Sequence, residues 1–188
     1  MFPVTLETPR LILREFEESD FAAVHEYGSL LEVVRYEPWG PNTEEDTREF
    51  ILRAMLAQAA TPRTSFEFAV TLRDSGRLIG GCGIRPTYGD RYDKQDADFG
   101  YTLRRDEWGK GYGTEVARAL VRFGFEKLER HRIWATCNVE NLASARVLEK
   151  AGLQLEGVMR KRIQLRGVWS DSRLYAILES DPRPWETA

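Results

Sequence analysis

One short segment constrains this 188-residue chain more than any other: Trp108-Gly109-Lys110-Gly111-Tyr112-Gly113-Thr114. It follows a strand-like run, Ala97 to Leu103, and opens a helical pattern that reaches about Lys127. A glycine-rich turn at a helix start exposes consecutive backbone N–H groups, and the helix dipole adds positive potential. That combination suits phosphate oxygens. Glycines matter there because a side chain would block close approach of a ligand.

Length and composition set the frame for that segment. At 188 residues the chain can bury a sizeable core without disulfides or metals. We expect a single domain over residues 1–179 and a proline-bearing surface tail over 180–188. A hydrophobic fraction of 42% and a charged fraction of 30% exclude collagen-like, disordered and membrane-embedded chains. No apolar run approaches the ~20 residues that span a bilayer. Met1 to Arg14 lacks the basic stretch and apolar run of a signal peptide, so a cytoplasmic location is expected. The net charge of -3 gives no electrostatic reason for a nucleic-acid or membrane partner. Cys82 and Cys137 sit in apolar, strand-like stretches without CxxC spacing and read as reduced core thiols. His25 and His131 are far apart, and no metal site is expected.

The order of elements follows from periodicity and turn signals. Leu6 to Phe16 reads as a strand, and Ser19-Asp20 starts a helix with Phe21, Val24 and Tyr27 at helical spacing. Thr43 is the expected N-cap of a second helix, with Glu44, Glu45 and Asp46 in its first turn. Ser65–Leu72 and Arg77–Ile84 are strands joined by the turn signal Asp74-Ser75-Gly76. Pro86 to Asp96 reads as a polar loop. On the helix after the glycine cluster, Val116, Ala117, Leu120, Val121, Phe123 and Phe125 form a broad apolar side opposite Glu115, Arg118 and Arg122. His131–Asn138 is a strand, and Asn141–Ala151 a helix that Gly152 can end. Leu155–Leu165 and Val168–Leu178 are strands meeting at Arg166-Gly167. Hairpins mixed with a strand-helix-strand crossover predict an α/β layered domain: a mixed sheet with helices on its faces.

The glycine cluster itself leaves several readings. A Walker loop needs GxxxxGK[ST], but Lys110 lies between two glycines with no Ser or Thr after it. A Rossmann fingerprint needs GxGxxG, but the third glycine comes one residue early and Thr114 stands in its place. The pyrophosphate loop of an acyl-CoA enzyme and a glycine turn without a ligand both remain open.

The wider sequence resembles the GNAT superfamily of acetyltransferases, and within it the ribosomal-protein-alanine (RimJ/RimL-like) branch. The stretches that carry the resemblance are Pro9-Arg10-Leu11-Ile12-Leu13-Arg14, Phe99-Gly100-Tyr101 followed by the glycine cluster and Glu115, Asn138 to Leu153, and Leu155-Glu156-Gly157 with the Tyr175 strand. The resemblance implies a mostly antiparallel sheet with splayed middle strands, the ones ending near Leu103 and beginning near His131. It implies acetyl-CoA as co-substrate, whose pantetheine arm pairs with a strand edge in the gap. An amine acceptor is the second partner, expected to be a protein N-terminal α-amine. A small-molecule amine and a non-catalytic acyl-CoA-binding module are the alternatives. Monomer and homodimer are both compatible with it.

Carried over residue by residue, the resemblance assigns acyl-CoA binding to Trp108, Gly109, Lys110, Gly111, Tyr112, Gly113 and Thr114, with Asn138, Asn141 and Ser144. Trp108 departs from the Gln or Arg that usually opens the motif, and reads as a packing residue. Amine attack on a thioester needs a base and donors for the oxyanion and leaving thiolate. Asp98 matches a position where many relatives carry a glutamate base, with Glu67 as second candidate. Many relatives place a tyrosine acid where this chain has Leu148. Ser144 is the candidate acid or thiolate partner in its stead. Tyr36, Trp39, Tyr88 and Trp169 are the aromatic candidates for the acceptor pocket, and Glu37 or the acidic loop Asp90 to Asp96 can attract a cationic amine.

Overall fold

In the computed structural model, residues 3–86 and 95–183 are described. Tyr88 and most of the acidic loop lie outside them. The chain builds one eight-stranded sheet, in the order β1-β2-β3-β4-β5-β6-β8-β7. The strands are β1 (Thr5–Glu7), β2 (Leu11–Glu15), β3 (Phe66–Leu72), β4 (Leu78–Pro86), β5 (Asp96–Leu103), β6 (Arg132–Asn138), β7 (Gln154–Leu165) and β8 (Val168–Leu178). The helices are α1 (Phe21–Gly28), α2 (Glu44–Ala59), α3 (Tyr112–Glu126) and α4 (Leu142–Lys150). The order of strands and helices expected from the sequence matches this one among the described residues, with one correction; the loop expected over 86–96 lies mostly outside them. The strand expected over 6–16 is a hairpin, because Thr8 closes a turn on Leu11: its N–H donates to the Leu11 carbonyl at 3.0 Å and its Oγ1 accepts from the Leu11 N–H at 2.9 Å.

Alternation along the strands sends side chains to both faces. Phe66, Phe68 and Val70 of β3 join the larger core under α3 and α4, with Val116, Leu120 and Leu148. Ala69 points the other way, into a smaller core with Val24 and Tyr27 of α1 and Ile51 of α2. The Thr43 cap forms as expected, its Oγ1 accepting from the Asp46 N–H while Asp46 reaches back to the Thr43 N–H.

The feature that matters most for function is the junction of β5 and β6, the sheet's parallel pair. Its register runs only through Asp96↔Arg132, Ala97↔Ile133 and Asp98↔Trp134. Beyond that, β5 keeps pairing with β4 as far as Leu103↔Gly80, and β6 keeps pairing with β8 as far as Asn138↔Ser172. The two strands therefore part, and each presents an unpaired backbone edge to the gap. This is the splay that the sequence resemblance implies.

Candidate active site

The gap opens into a cavity of about 240 Å³. Its walls include Phe99, Gly100 and Tyr101 from β5, Trp134 to Asn138 from β6, and Asn141, Ser144 and Leu148 from the cap and body of α4. Asn141 caps α4: its Oδ1 accepts from the Ser144 N–H at 3.1 Å. Asn138 Oδ1 accepts from the Glu140 N–H at 2.9 Å. The asparagines thus shape the turn that aims Ser144 into the cavity. The Ser144 hydroxyl stands near the Tyr101 hydroxyl and the Cys137 thiol and acts on both electrostatically. Burial pushes the Tyr101 phenol up to about 12, so it keeps its proton at neutral pH. Burial likewise raises the Cys137 thiol. Cys82 and Cys137 are both free and buried, as read from the sequence, but Cys137 also faces this cavity.

The glycine loop lies next to the gap. Gly109 and Gly111 adopt φ of 76° and 85°, a region that side-chain-bearing residues rarely enter. Gly111 is the N-cap of α3, and the first helical bond is Glu115 N–H to the Gly111 carbonyl at 3.2 Å. The N–H groups of Tyr112, Gly113 and Thr114 therefore have no acceptor within the helix. Gly113 is needed for closeness: a Cβ there would sit 3.1 Å from the Tyr101 ring. That contact joins the loop to the gap. The loop suits an anion on chemical grounds, through free amides and the positive end of a 15-residue helix. Trp108 turns its indole N–H onto the Leu103 carbonyl at 2.8 Å, which fits the packing role. Lys110 pairs with the buried Glu107 at 2.8 Å.

A second, wider cavity of about 880 Å³ lies beside the first, toward α1 and α2. Glu37, Pro38, Arg85, Gly100 and Tyr101 line both. Trp39 and Glu67 line the second and Tyr36 the first, whereas Trp169 lines neither and is 57% exposed. Asp98, the expected base, accepts two hydrogen bonds from Arg85, at 2.6 and 3.1 Å. Arg85 also reaches Glu67 at 3.3 Å. The Glu37 backbone N–H donates to the Val34 carbonyl at 2.9 Å, while its carboxylate makes no hydrogen bond or ion pair among the described residues. Glu37 is half-buried, and the protein around its carboxyl removes enough water to push it up to about 7, against a smaller opposing pull from Arg85.

Tyr101 was not among the residues singled out for chemistry from the sequence, although its strand was. A tyrosine two residues before a strand end carries no signal by itself. It becomes visible only when the strands part and turn its ring toward Ser144.

Comparison with known proteins decides the family. The model of the acetyltransferase (GNAT) domain matches residues 10–154. This chain belongs to the GNAT acetyltransferases. A Bacillus subtilis (strain 168) protein described as the uncharacterized N-acetyltransferase YnaD is 37% identical over 176 residues, covering 94% of this chain and 98% of that one. The crystal structure of a GNAT-family acetyltransferase from Bacillus anthracis superposes with a TM-score of 0.83 at 36% identity, over 95% of this chain and 100% of that one. A more distant fold relative, at 20% identity and a TM-score of 0.77 over 93% of this chain and 98% of that one, is the spermidine N-acetyltransferase of Vibrio cholerae, solved with CoA and spermine. The GNAT chain described here is thus an acyl-CoA N-acyltransferase, and acetyl transfer is its supported reaction. Among the described residues no helix is long and apolar enough to cross a membrane, and no cluster of His, Cys, Asp and Glu is arranged to hold a metal ion.

Proposed function

We propose that the protein transfers an acetyl group from acetyl-CoA to an α-amine at a polypeptide N-terminus, with the thioester in the β5–β6 gap and the amine arriving through the wider cavity. The observation that carries this reading is Glu37, a carboxyl held at about 7 where the two cavities meet. An α-ammonium has an ordinary pKa of about 7.8, so passing its proton to such a base costs about 1 kcal/mol. An alkylammonium near about 10.4 would cost about 5 kcal/mol by the same transfer. A base in that range can take the proton of an N-terminal ammonium at small cost. The stretches that resemble the ribosomal-protein-alanine branch support the same acceptor.

In this reading Glu37 takes the ammonium proton and passes it to solvent, and the neutral amine attacks the thioester carbon, forming the C–N bond. The tetrahedral intermediate then expels the CoA sulfur as the C–S bond breaks, and the second proton lost by nitrogen ends on that sulfur as the thiol. Ser144 and Tyr101, which hold their protons, offer hydrogen bonds to the leaving sulfur. The amides of the glycine loop and the first helical turn, Gly111 to Thr114, bind the pyrophosphate, and Asn138 and Asn141 hold the turn around Ser144. Asp98 acts through Arg85 as a positioning residue, so the base role expected of it passes to Glu37. Tyr36 and Trp39 flank Glu37 and face the acceptor's first residues.

The test is acetyl-CoA turnover against a panel of free-N-terminal peptides and small amines, read by thiol release and intact mass. Acetylated peptide with little product from alkylamines is the expected result. Faster acetylation of alkylamines than of any peptide would overturn the acceptor assignment.

A further inference from the structure

The turn between β1 and β2 reaches across the sheet to the glycine loop. Arg10 Nη1 donates to the Lys110 carbonyl at 3.0 Å. Its Nε donates to Glu115 Oε2 at 2.7 Å, and its backbone N–H to Glu115 Oε1 at 2.8 Å. Thr8 Oγ1 adds a third donor to the same carboxylate at 2.6 Å. The guanidinium lies 4.5 Å from the centre of the Tyr112 ring. Glu115 is thus enclosed, its side chain 13% exposed against 49% for Arg10.

We infer that Arg10 is a positioning residue for the acyl-CoA pyrophosphate loop, because it pins the Lys110 carbonyl and so aims the Gly111 amide at the ligand. This rests on the reading of the loop as the pyrophosphate cradle.

The argument begins with the peptide unit. The Lys110–Gly111 bond is planar and trans, so its C=O and N–H point in opposite directions. Holding the carbonyl toward Arg10 turns the amide toward the side where the free N–H groups of α3 begin. Among the described residues the space around the two flanking glycines is open. A Cβ at Gly109 would meet nothing within 4 Å, and at Gly111 its nearest neighbour would be Arg10 itself, at 3.4 Å. Gly111, at φ 85°, is a glycine that also tolerates the flipped peptide. Without Arg10 the plane is free to rotate and to withdraw one amide from the ligand.

Charge gives Arg10 a second task. Glu115 stands in the first turn of α3. There its carboxylate favours the helix but opposes an anion bound at the same terminus. The Arg10 guanidinium compensates that charge and preserves the positive field of the loop.

The experiment compares ligands that differ by the pyrophosphate. CoA binding to the whole chain is measured by titration calorimetry, and pantetheine, which lacks the pyrophosphate and nucleotide, by competition with CoA. Arg10→Ala should weaken CoA about tenfold, the scale of one charge-assisted hydrogen bond, and leave pantetheine unchanged. Arg10→Lys keeps the charge but loses the fork between Glu115 and the Lys110 carbonyl, and should retain a several-fold loss. Unaltered CoA affinity in Arg10→Ala, or an equal loss for CoA and pantetheine, overturns the inference. If the wild-type chain binds CoA no better than pantetheine, the cradle reading itself fails. A wild-type preference for CoA that persists in Arg10→Ala removes Arg10's role alone.

Discussion

Arg85 exerts its field on Glu37 but gives its hydrogen bonds elsewhere, to Asp98 at 2.6 and 3.1 Å and to Glu67 at 3.3 Å. A guanidinium so engaged offsets only part of the cost of burying a charge nearby. The Glu37 carboxyl therefore stays near about 7 instead of falling to the range of a paired carboxylate. The cavity wall holds three carboxylates around one arginine: Asp98 and Glu67 engage the cation, and in the proposed reaction Glu37 is the one that exchanges a proton.

Glu37→Gln tests that division. A base with a pKa of about 7 is ionised above that pH, so kcat/KM of the wild type should rise through an acidic limb centred there. Glutamine cannot accept the proton. The variant should lose on the order of 100-fold in kcat, and the limb should vanish from its pH profile. A rate profile with the limb intact would assign it to another group.

Asp98→Asn separates the two carboxylates. If Asp98 works by holding Arg85, the amide variant loosens the guanidinium and lets it approach Glu37. An opposite charge drawn closer lowers a carboxyl pKa. The acidic limb should then move to lower pH, with kcat on the plateau reduced by less than tenfold. If Asp98 is itself the base, the limb disappears and kcat falls as far as in Glu37→Gln.

Much of this arrangement could be read along the chain because it is set by neighbours in sequence. The Thr43 cap, the Asn141 cap, the Gly152 and Arg166-Gly167 turns and the glycine loop each depend on a few consecutive residues. Their φ values and hydrogen bonds agree with the local chemistry. The β1–β2 hairpin was hidden because its turn is closed by the Thr8 side chain rather than by an Asn-Gly pair. The base and the tyrosine were hidden for a deeper reason. Glu37 comes from the connection between α1 and α2 and Tyr101 from the middle of the sheet, and they meet only at the walls of the cavities. A pKa near 7 is a property of those walls, and no short window of sequence encodes it.

Tyr101 and Ser144 should act as one unit on the departing sulfur. Tyr101→Phe and Ser144→Ala each remove one of two neighbouring hydroxyls on the cavity wall, and each should lower kcat about tenfold. The double variant should lose clearly less than the product of the single losses, since groups in direct contact do not contribute independently. Steady-state rates at saturating acetyl-CoA measure this, and strict multiplication would show that the two hydroxyls act separately.

Arg166 ties the β7–β8 turn to the segment that carries Glu37. Its guanidinium donates to the Val34 carbonyl at 3.3 Å, the Gly40 carbonyl at 3.4 Å and the Arg35 carbonyl. Arg166→Ala frees the connection between α1 and α2 while leaving the gap and the glycine loop in place. KM for the amine should rise several-fold with CoA affinity unchanged. A Glu37 carboxyl that reaches water returns toward its ordinary value of 4.5, so the acidic limb should also shift down. A change in KM without that shift would mean the loop contacts the acceptor but does not hold Glu37.

The raised carboxyl also leaves a mark on stability that needs no substrate. In the unfolded chain Glu37 ionises near 4.5, and in the folded one near about 7. Between those values the folded state binds more protons than the unfolded state, so stability falls as pH rises through that window and stays lower above it. Glutamine at this position does not titrate and escapes the loss. Compared with wild type, Glu37→Gln should therefore gain melting temperature as the buffer moves from pH 4.5 to pH 8, while losing activity over the same range. Such an exchange of stability for function is expected where an ionisable group is kept from water in order to react. Melting curves of the two chains across that range decide it, and a difference that does not change with pH would place the Glu37 carboxyl in ordinary solvent.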